Sequence, residues 1–179
     1  GIEKAFKVVT ALGDWVYERT VKWTKETQDI VLAVEYGGMN EAMYDLYKIT
    51  KSDKHKAAAH MFDEMYLFSE IEKGNDILNG KHANTTIPKF LGAIYRYAAL
   101  GCKEDDDFYY RAAKRFWELV NEHHTYITGG NSEWEHFGEP LILDGERTNC
   151  NCETCNTYNM LKLSRELFKI TGDIRYADF

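Results

Sequence analysis

Three cysteines crowd into six positions, Cys150, Cys152 and Cys155, while the fourth, Cys102, stands alone. Neighbours this close rarely bridge one another, because a disulfide demands a particular Cα separation and Cβ direction. Thiolates gathered in this way suit a metal ion instead. No second knuckle completes a four-donor zinc site, so Glu, His or cysteines from elsewhere would have to contribute. Glu153 lies two residues before Cys155, a spacing that sends side chains to nearly opposite sides of a helix. The two can share an ion only in an irregular turn before a helix begins, and Asn151 and Thr154, both good N-cap residues, fit such a turn. A closed zinc staple of all three cysteines and one histidine is the structural alternative. Cys102 reads as a small buried hydrophobe at a helix end.

The other chemically able residues also sit in loops: Tyr36 to Glu41, Gly80 to Thr85, and Gly129 through Glu139. Glu139 lies between Gly138 and Pro140, in a loop with Trp134, His136 and Phe137. Aromatic surroundings raise a carboxyl pKa by desolvation, which suits a general acid; a solvated loop glutamate is the plainer alternative. His82 is either a ligand or substrate contact, or a helix-end histidine spending one hydrogen bond on the backbone. Function gathers on loops that a rigid scaffold holds.

That scaffold is helical. Only two prolines, Pro88 and Pro140, interrupt 179 residues, and proline breaks helix interiors. Apolar spacing predicts helices over 3–24, 28–49, from Asp53 through Phe68, over 87–100 with Gly101 as a stop, from Asp107, and from the cysteines to Thr171-Gly172. A polar turn spans 74–85 and a long loop 127–152. Leu46 to Ala57, Ile94 to Ala112 and Leu167 to Ala177 each read as a helix end, a short turn and a capped start. Repeated helical hairpins mark a solenoid or toroid. The charged stretches 51–56 and 103–107 are ordinary solvated turns.

The chain carries 22 basic against 29 acidic side chains, a net charge of −7, and is 44% hydrophobic and 14% aromatic. That composition excludes disorder and the clustered Lys and Arg of a nucleic-acid footprint. No apolar run approaches the roughly 20 residues of a membrane span.

Four segments carry a family resemblance: Glu35-Tyr36-Gly37-Gly38-Met39-Asn40-Glu41, His82-Ala83-Asn84-Thr85, Thr128-Gly129-Gly130-Asn131-Ser132, and Glu153-Thr154-Cys155 onward to Lys162. In this order they resemble the β-L-arabinofuranosidase-type glycoside hydrolases, families 127 and 146, over about 33–179. The resemblance implies an all-α fold, part of an (α/α)6 barrel with about three helical hairpins present. Residues 1–179 are then a partial catalytic barrel, truncated at the C-terminus and also at the N-terminus. It further implies a retaining glycosidase whose nucleophile is a cysteine thiolate held on zinc. Glu139, in the His-x-Gly-Glu loop, matches the acid/base, and Glu153 and Cys155 match two zinc ligands. His82 matches a histidine of the sugar pocket; Asn40 and Glu41 lie where another pocket loop sits, and His136 joins them as a substrate contact. In that family the nucleophile and the remaining ligand come from a downstream Cys-Cys pair that these 179 residues do not contain, so the chain alone is expected to be inactive.

The expected partner is a carbohydrate, an arabinofuranoside, with no nucleic acid and no membrane. A second copy, or the remainder of the barrel, would cover apolar edges. Zinc-bound thiols lean toward a reducing cytoplasm and a bacterial-type enzyme. Two other readings stand beside this one: a non-catalytic helical-repeat module with a structural zinc, and a sugar epimerase or isomerase on the same toroid.

Overall fold

Where apolar residues recur at helical spacing, the chain is helical. The computed structural model describes residues 1–34, 36–100, 107–145 and 147–179. Among them it holds eight α-helices and no strand: α1 (Ile2–Thr20), α2 (Lys25–Leu32), α3 (Met39–Thr50), α4 (Asp53–His60), α5 (Met65–Glu72), α6 (Ala83–Leu100), α7 (Asp107–Leu119) and α8 (Thr154–Thr171). A π-helical turn, Val120–His124, extends α7. Glu35, the Gly101 stop signal, Cys102 and most of the 103–107 charge run lie outside the described residues.

The helices form two layers. α3, α6 and α8 pack side by side, and α1, α4, α5 and α7 lie against them as an outer row. This is the layering of part of an α/α toroid, as the hairpin repeat anticipates. Phe90 of α6 and Phe116 of α7 stack at 3.9 Å between centroids and 6° between planes, an arrangement that adds about 0.5–1.5 kcal/mol beyond area burial. Phe68, Leu91 and Leu163 complete a core in which α5 to α8 meet. A second cluster joins α1, α3 and α4 through Val16, Tyr44 and Ala58, and Tyr95 packs against both.

Two expected helices are broken, each for a local reason. The one over 28–49 divides into α2 and α3 because Gly37 takes a left-handed φ of 62°, open to glycine and costly to others. The helix expected from Asp53 through Phe68 stops after His60 and restarts at Met65. Its orphaned carbonyls find side-chain donors: Gln28 Nε2 bonds the Met61 oxygen at 2.9 Å, and Tyr36 Oη the Phe62 oxygen at 2.8 Å. Asp63 is drawn inward to Tyr44, Arg96 and Asn40. In the opposite sense, α6 begins four residues before its expected start and contains Pro88 in its second turn.

The inner helices present their N-termini at one rim. Lys162 Nζ of α8 meets Glu41 Oε1 of α3 at 2.6 Å, and Asn159 Nδ2 bonds Asn84 Oδ1 of α6 at 2.8 Å. The loops that hold the candidate residues all lead into these termini. Helix α8 ends as expected, with Gly172 left-handed at φ 69°.

Candidate active site

Three loop segments lie side by side at that rim, held by backbone bonds. Residues 79–83 run antiparallel to 135–139: Gly80 N donates to Phe137 O at 2.8 Å, Phe137 N to Lys81 O at 2.9 Å, and Ala83 N to Glu135 O at 2.8 Å. Residues 132–134 pair in turn with 150–152, through Trp134 N to Cys150 O at 2.9 Å and Cys152 N to Ser132 O at 3.3 Å. The central segment therefore links the His82 turn on one side to the cysteine segment on the other.

This pairing sets the register of the side chains. His82 faces His136, with ring centroids 5.2 Å apart. Both border a cavity of about 430 Å3 that Lys81, Thr85, Glu64 and Lys89 help to line. Asn79 Nδ2 donates to Glu139 Oε1 at 2.5 Å, so the carboxyl is tethered to the His82 turn. Glu139 is exposed. The aromatic enclosure expected of it is not found, because Phe137 turns into the core against Phe116 and His124 and Trp134 points to solvent, 63% exposed.

Asn40 and Glu41 sit deeper, in the first turn of α3. Asn40 is fully buried, and its amide bonds Lys89 O at 3.0 Å. Its carboxamide lies over Gly92, where a Cβ would fall 2.0 Å away. Glu41 is paired with Lys162. The structure brings His82 and His136 together, whereas Glu139 lies outside their cavity and borders a separate small pocket with His124 and Tyr126; Asn40 and Glu41 join them through α3 and are not in the cavity wall.

On the other flank, Glu153 is the N-cap of α8 with an extended ψ of 135°, and Cys155 follows in the first turn. This is the irregular turn their spacing demands. Cys155 Sγ lies 3.5 Å from Glu153 Oε2. A tetrahedral zinc holding a thiolate and a carboxylate separates those atoms by roughly 3.5 Å, so the two fit as half of such a site. Burial, and then the Glu153 carboxylate, push the Cys155 thiol up, and metal binding has to displace its proton. Among the described residues no three His, Cys, Asp or Glu side chains gather as a metal site. The closed staple of three cysteines and a histidine is thus not formed; Cys152 instead packs on Gly130.

Several positioning residues escape sequence reasoning. Asn156, fully buried, donates to Ser132 Oγ at 2.7 Å and has its Oδ1 3.7 Å from Cys155 Sγ. Glu133 fastens the loop on itself, accepting from Tyr126 Oη at 2.5 Å and from Thr148 N and Oγ1 at 2.8 and 2.7 Å. His123 and His124 both bond Asp76 Oδ2, at 2.8 and 2.9 Å. The hydrogen bonds span 7 to 48 residues, and no periodicity reports them.

The described residues include no helix long and apolar enough to cross a membrane. No match is found among curated proteins. The family described as beta-L-arabinofuranosidase, GH127 catalytic domain, matches residues 1–179. With its layered helices and its rim of paired loops, the chain belongs to the GH127 β-L-arabinofuranosidase family of glycoside hydrolases.

Proposed function

We propose that these residues contribute the acid/base and two metal donors to a retaining β-L-arabinofuranosidase. The observation that carries this reading is the three-segment pairing at the rim, which ties Glu139 and the two histidines to the segment that leads into Glu153 and Cys155. A retaining glycosidase needs a proton donor and a nucleophile flanking one glycosidic bond. Glu139 gives a proton to the leaving oxygen and then removes one from water, while Asn79 holds its carboxyl in place. His82 and His136 orient the sugar. Glu153 and Cys155 hold zinc together with a downstream Cys-Cys pair, as the resemblance implies. The metal, when bound, keeps a cysteine as thiolate at neutral pH. The chain's net charge of −7 suits a neutral sugar better than an anion.

The test uses the full-length, zinc-loaded protein and an aryl β-L-arabinofuranoside. Glu139→Gln should lower kcat by about 10²- to 10⁴-fold, the usual worth of a positioned acid/base. Wild-type rates in that variant would overturn the assignment.

A further inference from the structure

Two consecutive histidines end the π-helical turn that extends α7, and both reach the same carboxylate oxygen. His123 Nδ1 lies 2.8 Å and His124 Nε2 2.9 Å from Asp76 Oδ2. Adjacent residues of an α-helix do not face one another. The wider π turn, a rare feature that recurs at functional sites, lets the two rings converge. Burial by itself would raise the Asp76 carboxyl, but the hydrogen bonds from His124 and His123 outweigh it and hold it below its ordinary value. Asp76 is therefore ionised at neutral pH and accepts from both rings. An anion is not what the dipole of a helix C-terminus selects, so this carboxylate is there for the two imidazoles.

The same two elements grip the loop that carries Glu139. From the segment after Asp76, Asn79 Nδ2 donates to Glu139 Oε1 at 2.5 Å, and Gly80 N to Phe137 O at 2.8 Å. From the π turn, the His123 carbonyl accepts from Leu141 N at 3.0 Å. The His124 ring packs on Phe137, 5.3 Å between centroids, and His124 and Glu139 border one small pocket. The loop would not take this shape unaided. Leu141 holds a left-handed φ of 65°, costly for a bulky residue, and burial does not offset it, since Leu141 is 69% exposed. Residues 137–141 are thus held from both sides, and Asp76 ties the two holds together.

We propose that Asp76 is a positioning residue for the acid/base: through His123 and His124 it fixes the loop that aims the Glu139 carboxyl at the leaving oxygen. The inference rests on the hydrolase reading above. A well-placed proton donor matters most where the leaving group needs a proton. The test therefore compares two probes on the full-length, zinc-loaded protein. Methyl β-L-arabinofuranoside has a poor leaving group, whereas the phenolate of 4-nitrophenyl β-L-arabinofuranoside departs without protonation. Asp76→Asn should lower kcat/KM for the methyl glycoside about 10- to 100-fold, the effect of a misplacement of about 1 Å. It should lower that for the nitrophenyl glycoside less than about threefold. His123→Ala should shift the ratio in the same direction, and His123→Asn, which puts an amide N–H where Nδ1 stood, should restore it. A readout free of turnover is amide exchange: the Leu141 N–H should exchange about tenfold faster in Asp76→Asn. Equal losses on both probes in Asp76→Asn and His123→Ala overturn the positioning role, because a general loss of structure does not sense the leaving group. Unchanged Leu141 exchange in Asp76→Asn overturns it too. Should Asp76→Asn fail to fold, the ratio in His123→Ala, a part-exposed position, decides alone. Glu139→Gln separates this proposal from the reading beneath it. Leaving-group dependence in Glu139→Gln without any in Asp76→Asn overturns the positioning role alone. Wild-type rates on both probes in Glu139→Gln overturn the acid/base assignment and the positioning role together.

Discussion

Asn156 shows how a residue next to a metal donor can matter without donating. It is fully buried, its amide is held by Ser132, and its carbonyl oxygen faces the Cys155 sulfur. Outer-shell partners of this kind orient a ligand before the metal arrives. Asn156→Ala in the full-length protein should therefore weaken zinc affinity about 10- to 100-fold, as a chelator competition titration would measure. Equal affinities in the two proteins would reduce Asn156 to a packing residue. The sequence made Glu153 and Cys155 legible because their spacing has few solutions: one extended residue, then a helix start. It left Asn156 and Asn79 illegible, since their partners lie 24 and 60 residues away and an asparagine carries no pattern of its own. The expected enclosure of Glu139 failed for a related reason. A loop rich in aromatics says nothing about which rings turn inward, and Phe137 did so while Trp134 did not.

Helix periodicity located every long element, but the breaks obey tertiary demands that periodicity does not record. The interruption between α4 and α5 shows this best. Met61 to Glu64 are apolar and acidic residues with no Gly or Pro, yet the helix stops, because Asp63 is claimed from inside by Tyr44, Arg96 and Asn40. This buried cluster makes a pH prediction. Burial pushes the Asp63 carboxyl up from 3.8 to about 6, so its contribution to stability is present at low pH and is lost as pH rises through that window. Burial, together with the Arg96 guanidinium that bonds Nδ1, pushes His60 down from 6.5 to about 4. Its contribution is present above 6.5 and lost as pH falls toward 4, the opposite slope. His60→Gln keeps a side-chain acceptor for Arg96 and removes one of the two. Between pH 4 and 6.5 the variant's unfolding free energy, measured by urea titration, should decline with rising pH relative to the wild type. Parallel curves would show that His60 does not titrate in that window.

At the scale of the whole molecule, the outer helix α1 is the part that burial explains least. Its inward face buries Gly13, Val16 and Thr20 against α3 and α4, yet Val8, Leu12 and Trp15 are exposed on the other. These fall at spacings of four and three residues, which collects them along one side of the helix. Exposed apolar surface collected on one face, beyond the few hundred Å2 common on monomers, marks an interaction surface. Such a face is what an α/α toroid would cover with a neighbouring hairpin, since each repeat buries its apolar side only by stacking. Residues 1–179 produced alone should therefore self-associate. Light scattering coupled to size exclusion should report masses above the 20.8 kDa of one chain, rising with concentration. Val8→Lys with Leu12→Lys should restore the single-chain mass, because both side chains are already in water and the fold does not need them buried. A wild-type chain that stays at 20.8 kDa across the same concentrations would mean that α1 is not a docking face.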